Sequence, residues 1–267
     1  MPDVFHVLPQ YHPLMRSVGL DAEAVFTHPD IVAWRTLPDR ENCTLDAQRD
    51  GKPVRLHIKR YPAPTSMADD EVKAIKRLQQ AGIATVPLVG WGRLADGRSF
   101  VITEDLAGFR DSEKLVSEGM PFSLLLVVTA HLAARLHDAR LHHRDLYLCH
   151  FFARVSGDRS CDVGLRLIDV ARVKRLPRLF ARRWIVKDLA QFWYSTTKLP
   201  VTDDERVAWL DRYAKARKLS FVGALRRAIE RKVRWIARHD TKLTVSQPAR
   251  NVSIPSSSMS GGGRSGG

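Results

Sequence analysis

The sequence is poor in cysteine, in long apolar runs and in acidic charge. Its three cysteines, Cys43, Cys149 and Cys161, are scattered through 267 residues. That is too few for a disulfide framework, so a reducing cytosol is the default compartment. No apolar run approaches the ~20 residues that a membrane span needs. The longest, Leu124–Thr129 with its flanks, is interrupted by His131 and Arg135. The opening Met1-Pro-Asp-Val-Phe-His lacks a basic stretch followed by an apolar core, so it does not read as a signal peptide. From about Ser246 apolar residues become scarce and Ser, Pro and Gly take over. Residues 246–267 are therefore expected to stay disordered, because they bury too little to offset chain entropy. No internal repeat is visible.

What is present in excess is positive charge. The 43 Lys and Arg against 29 Asp and Glu give +14 and a pI near 10.1. Hydrophobic residues make up 44% and charged residues 27%, an ordinary globular balance that excludes a fibrous or wholly disordered chain. The charge is clustered. Val170–Arg183 holds six basic residues and no acid; Arg206–Arg238 holds eleven against Asp211 and Glu230. Such surfaces attract nucleic acid, anionic lipid headgroups or phosphorylated substrates. The plain alternative is a solvated face.

The first hundred residues read as short strands around one helix. Ile31–Leu37 and Cys43–Gln48 are strand-like, Arg49-Asp-Gly-Lys suits a tight turn, and Val54, Leu56 and Ile58 alternate with Arg55, His57 and Lys59. Asp69–Gly82 reads as a helix with Val72, Ile75 and Leu78 on one face and Gly82 as its stop. A second hairpin spans Val86–Trp91 and Ser99–Glu104. After Asp105 helices dominate: Phe122–Ala139, Trp184–Ser195, Asp203–Arg217 and Phe221–Arg238. Two short strands, Phe151–Val155 and Leu165–Val170, flank the turn Ser156-Gly-Asp-Arg. The expected class is α+β with two lobes: residues 1–105 β-rich with one helix, residues 106–245 mainly helical.

Between the long helix and the first of those strands lies His142-His-Arg-Asp-Leu-Tyr-Leu-Cys-His-Phe-Phe. His143-Arg144-Asp145 is the tripeptide of the protein-kinase catalytic loop, whose Asp orients and deprotonates the attacking hydroxyl. Asp169 follows 24 residues later, after Leu165-Arg-Leu-Ile, where a kinase places its metal-binding Asp. Lys59 ends Leu56-His-Ile-Lys, close to Val-Ala-Ile-Lys, and Glu71 opens the next helix, where the partner of that Lys belongs. Each also has an ordinary reading. Lys59 could be a solvated strand residue, Glu71 a first-turn acid favoured by the helix dipole, His143 a packing residue and Asp188 a helix cap. His142, His143, Cys149 and His150 are candidate zinc ligands, but no Cys-x-x-Cys pair supports them.

The loop His143-Arg-Asp-Leu-Tyr-Leu-Cys-His-Phe resembles that of the lipopolysaccharide core kinases, the bacterial heptose and Kdo kinase group. Glu71–Gly92, Leu167-Ile-Asp-Val and Lys187-Asp-Leu-Ala are similar to theirs as well, so the likeness covers roughly residues 30–200. It implies a protein-kinase-like fold. It also implies transfer of the ATP γ-phosphoryl group to a sugar hydroxyl of the lipopolysaccharide inner core, in the cytoplasm or peripherally on the inner membrane. The carried-over roles are Asp145 as catalytic base, Lys59 on the phosphates, Glu71 holding Lys59, and Asp169 with His150 on Mg²⁺ or Mn²⁺. Arg172, Arg178 and Arg182 are placed to meet an anionic glycolipid acceptor.

Departures from protein kinases sharpen this picture. Leu37-Pro-Asp-Arg-Glu-Asn-Cys-Thr stands where a glycine-rich loop would be, leaving backbone donors and Arg40 for the phosphates. His57 replaces the small residue usual over adenine. Val170-Ala171 replaces Phe-Gly and no Ala-Pro-Glu follows, which argues against a regulated loop for protein substrates. His150 stands where a metal-binding Asn is usual, although Mg²⁺ prefers oxygen. Two alternatives stay open: a kinase-like enzyme with a protein or small-molecule hydroxyl acceptor, and a non-catalytic basic scaffold on membrane or nucleic acid. No specific nucleic-acid partner is expected.

Overall fold

The computed structural model describes residues 2–155 and 163–246, the last six as helical backbone only. The turn expected at Ser156-Gly-Asp-Arg and the tail beyond Ser246 lie outside the described residues.

The amino-terminal half is built on a six-stranded antiparallel sheet in the order β1-β5-β6-β4-β3-β2. These strands are β1 (Val4–Val7), β2 (Val32–Leu37), β3 (Arg40–Arg49), β4 (Lys52–Tyr61), β5 (Leu88–Arg93) and β6 (Ser99–Glu104). The β3–β4 register pairs Arg49 with Lys52 across the expected Asp50-Gly51 turn, where both residues have positive φ. Strand alternation sorts the β4 side chains between two layers. Leu56 and Ile58 pack with Tyr11, Leu14, Met15 and Val25 from α1 (His12–Ser17), α2 (Ala24–Thr27) and the turn before α1. Tyr61 faces the other way, into a cluster with Val72, Ile75 and Leu78 of α3 (Met67–Gln80). The same parity turns Lys59 toward α3.

That second cluster runs on into the helical half, so one core joins both lobes. Short pieces come first: β7 (Arg110–Asp111) and α4 (Ser112–Ser117), whose N-cap Asp111 accepts from the Glu113 and Lys114 amides. Then follow α5 (Ser123–Asp138), β8 (Leu141–His142), β9 (Phe151–Val155), β10 (Val163–Leu167), β11 (Lys174–Arg175), α6 (Ala181–Thr196), α7 (Asp203–Ala216) and α8 (Val222–Ser246). Phe192 of α6 stacks on Trp209 of α7 with centroids 4.1 Å apart, and Trp209 donates its indole N–H to Thr129 of α5 at 3.0 Å. A Thr202–Glu205 capping box starts α7.

Four departures from the sequence reading have physical causes. Strand β1 adds to the edge of β5, which requires close approach at Gly90 and Gly92: a side chain at Gly90 would sit 2.8 Å from the His6 carbonyl oxygen. Strand β10 stops at Leu167, because Asp169 takes a left-handed conformation (φ 53°) and Val170–Arg172 forms a 3-10 turn. Helix α6 begins at Ala181, three residues early, and α8 continues to Ser246, past the expected Arg238.

Candidate active site

A cleft of about 540 Å³ opens between the sheet and the helical half, lined by Arg40, Lys59, Asp145, His150, Asp169 and Arg172 among others. Each arrives on a different element. Lys59 projects from β4, and its ammonium donates to Glu71 Oε1 of α3 at 2.6 Å. Tyr61, two residues on, donates to the other Glu71 oxygen at 3.2 Å. Glu71 is buried, so the pair is a fixed strut between sheet and helix. Desolvation pulls the Lys59 ammonium down, but the carboxylates of Glu71 and Asp169 outweigh it and hold the group charged.

Asp145 lies on the loop between β8 and β9. Its Oδ2 accepts from Arg172 Nη1 at 2.6 Å, and its Oδ1 accepts from Gln191 Nε2 at 3.3 Å. The loop itself is held from below by α6. Asp188, fully buried, accepts from the backbone amides of His143 (2.7 Å) and Arg144 (2.9 Å). Gln191 accepts from the Leu146 amide and Ser195 from the Leu148 amide. Lys187 donates to the Arg144 carbonyl. Positions 188, 191 and 195 fall on one helix face, so a single helix receives four loop amides. Asp188 is the eighth residue of α6 and caps nothing. Burial would raise its carboxyl, but the hydrogen bond and charge of His137 and the loop amides hold it below the usual range. His143 is buried and bonds the Ile168 carbonyl through Nε2 at 3.0 Å, tying the loop to the residue before Asp169.

Asp169 faces the same cleft. Desolvation there would raise its carboxyl, yet the Lys59 ammonium holds it below the ordinary range. His150 Nδ1 lies 2.6 Å from the Asp145 carbonyl oxygen. A carbonyl only accepts, so Nδ1 carries the hydrogen and the lone pair of the neutral ring sits on Nε2. That nitrogen is 3.7 Å from Asp169 Oδ2. Two acceptors facing each other at this spacing are satisfied by a shared cation or a proton. The donor set therefore fits a nucleotide-bound divalent ion. Among the described residues no group of three or more His, Cys, Asp or Glu side chains gathers to hold a metal alone. The other positions would fall to phosphate oxygens and water, as Mg²⁺ ordinarily arranges.

Zinc at His142, His143, Cys149 and His150 finds no such support. Burial and the nearby Glu113 and Asp111 charges push the Cys149 thiol up, which keeps it protonated. His142 instead packs against Trp184, with ring centroids 4.8 Å apart and the planes tilted by 49°.

Of the basic residues after Asp169, Arg172 and Lys174 line the cleft; Arg178 and Arg182 are not among its lining residues. His57 turns toward the end of the sheet, with Nε2 2.9 Å from Asp105 Oδ1. Arg40, at the start of β3, reaches the cleft from the turn that replaces a glycine-rich loop. Arg172 is named for the acceptor in the sequence reading, without its pairing to Asp145. Residues that the sequence reading missed are Tyr61, Gln191 and Ser195. Their one signal is polar spacing on an otherwise apolar helix face or strand end.

Known proteins share this architecture. Over 162 residues the chain is 32% identical to the lipopolysaccharide core heptose(I) kinase WaaP of Pseudomonas aeruginosa, covering 56% of this chain and 60% of that protein. Against the protein of that name from Escherichia coli K12 it is 28% identical over 158 residues, 55% of this chain and 58% of the relative. The matched stretch thus spans less than two thirds of either relative. A solved structure of WaaP in complex with acyl carrier protein matches with a TM-score of 0.65 at 26% identity, covering 91% of this chain and 99% of that one. The fold is the two-lobed kinase-like α+β fold. With the family model itself matching residues 51–213, the chain belongs to the lipopolysaccharide kinase (Kdo/WaaP) family.

Proposed function

We propose that this protein transfers the γ-phosphoryl group of ATP to a sugar hydroxyl, heptose or Kdo, of a lipopolysaccharide inner core or a closely related anionic glycolipid. The carrying observation is the convergence of the Lys59–Glu71 strut, the Asp145 carboxylate and the facing His150–Asp169 pair on one cleft, in a chain of this family. Residues 1–105 would cover the nucleotide and residues 106–245 would supply the acceptor side.

In this reading Lys59 pairs with the α/β-phosphates while Glu71 keeps its ammonium aimed. Asp145 orients the sugar hydroxyl and takes its proton as the new P–O bond forms in line with the departing ADP. Asp169 and His150 would hold Mg²⁺, which neutralises phosphate charge when bound; an imidazole in the set also admits Mn²⁺. Arg172 stands where an acceptor phosphate or carboxylate would arrive. The protein's contribution is positioning and charge neutralisation.

No described helix is long and apolar enough to cross a membrane. The acceptor places the enzyme at the cytoplasmic face of the inner membrane. The test is incubation with labelled ATP and a panel of Kdo-lipid A, heptosylated core, generic protein or no acceptor. Label in a core saccharide supports the reading. Label confined to protein, or ATP turnover indifferent to the saccharides, contradicts it.

A further inference from the structure

The basic run after Asp169 divides at β11. Arg172 and Lys174 turn into the cleft, whereas the stretch Arg178–Arg183 stands outside its lining. In that outer stretch Leu179 is 74% exposed and Phe180 78% exposed. Phe180 also occupies the left-handed region at φ 64°, a conformation favouring glycine. Two large apolar side chains are thus held in water, one on a strained backbone, with no packing in return within the fold. Arg178, Arg182 and Arg183 surround them, all exposed. Among the described residues no acidic side chain pairs with any of the three.

Helix α8 extends the surface. It packs along α6, where the Tyr194 hydroxyl donates to Asp240 at 2.7 Å, and desolvation, joined by the charge of Arg183, pulls the Lys232 ammonium down. The Lys232 ammonium lies 3.5 Å over the ring of Trp235, which is 55% exposed. The arrangement is an apolar knuckle and an amphipathic indole inside a cationic collar.

We propose that Leu179, Phe180 and Trp235, with Arg178, Arg182, Arg183 and Lys232, form a surface that docks the enzyme on a bilayer of anionic phospholipid. A bilayer suits both chemistries at once. Its phosphates meet the guanidinium groups, its acyl boundary takes Leu179 and Phe180, and tryptophan favours the headgroup level. A nucleic acid would satisfy the charge and leave the knuckle in water.

The experiment is sedimentation of the full chain with phosphatidylglycerol or phosphatidylcholine vesicles, without ATP. It is therefore independent of the phosphotransfer reading. We expect binding to phosphatidylglycerol, much weaker binding to phosphatidylcholine, and a steep loss with salt. Each basic residue near such a surface contributes roughly a fivefold factor, so R178E/R182E should weaken binding by at least that order squared. L179S/F180S, with charge unchanged, should weaken it by about tenfold or more. The Trp emission should shift to the blue on vesicles, and Trp235→Phe should remove that shift. Unchanged melting temperatures in all variants show that the fold is intact. Equal affinity for the two vesicle types overturns the proposal. So does L179S/F180S binding vesicles like the wild type, or RNA binding as tightly as phosphatidylglycerol through the arginines alone.

Discussion

Both carboxylate oxygens of Asp145 are engaged, one by Gln191 and the other by Arg172 at 2.6 Å. If Asp145 is the base, the acceptor hydroxyl must take Oδ2 from Arg172. The guanidinium, more than half exposed, is then released beside the phosphoryl group in transfer. Arg172→Ala should lower kcat by roughly 10²-fold, the size of losing one transition-state donor, with KM for ATP little changed. Arg172→Lys should recover only part, lacking the planar fork. A rise in kcat for Arg172→Ala would show that the residue only obstructs the base. The Lys59–Glu71 pair makes a second prediction at this scale. Removing either partner leaves the other uncompensated, so Lys59→Ala and Glu71→Ala should be non-additive in activation energy by roughly 0.5–3 kcal/mol. Simple additivity in a double-mutant cycle would deny the pair any catalytic role.

At the scale of elements, the loop bearing Asp145 owes its shape to α6. Asp188, buried and charged, is compensated by two loop amides and by His137, itself bonded to Tyr213 at 2.8 Å. Because its folded pKa is depressed, its stabilisation is present above the unfolded value of ~3.9 and is lost as pH falls through the folded value. Asp188→Asn should therefore lower the melting temperature at pH 7, and the gap from wild type should narrow below about pH 4. A gap constant with pH would mean that the carboxylate charge is not what holds the loop. Much at this level was legible beforehand. Strict alternation marked β4, and the stripe of Val72, Ile75 and Leu78 marked α3, so Lys59 and Glu71 could be set on facing elements. The loop tripeptide and Asp169 were legible as motifs. The short segments β1, α1, α2 and α4 were not. Pieces of this length gain stability from tertiary packing rather than from their own propensity. Only Gly90 and Gly92, alternating beside Trp91, hinted that another backbone lies against β5. Gln191 and Ser195 were hidden for a related reason: their partners are loop amides, which no sequence pattern displays.

For the whole molecule, one apolar cluster spans both lobes while the charge is distributed unevenly around it. Glu71, Asp145, Asp169 and Asp188 are gathered in or under the cleft, where Lys and Arg side chains line the walls around them, and the basic runs at Arg178–Arg183 and on α8 lie outside it. A chain at +14 whose cleft lining carries Arg40, Lys59, Arg144, Arg172 and Lys174 around Asp145 and Asp169 is arranged to draw in polyanions. The central claim is that Asp145 activates a core-sugar hydroxyl toward ATP. It is tested most directly by the rate at which phosphate appears on heptosylated core saccharide, followed by mass spectrometry at saturating Mg·ATP, for the wild type and for Asp145→Asn. The account predicts transfer by the wild type and a loss of roughly 10²–10⁴-fold in the variant, the usual contribution of a positioned general base, with Mg·ATP affinity retained. Transfer by Asp145→Asn at the wild-type rate, or none by the wild type, would contradict it.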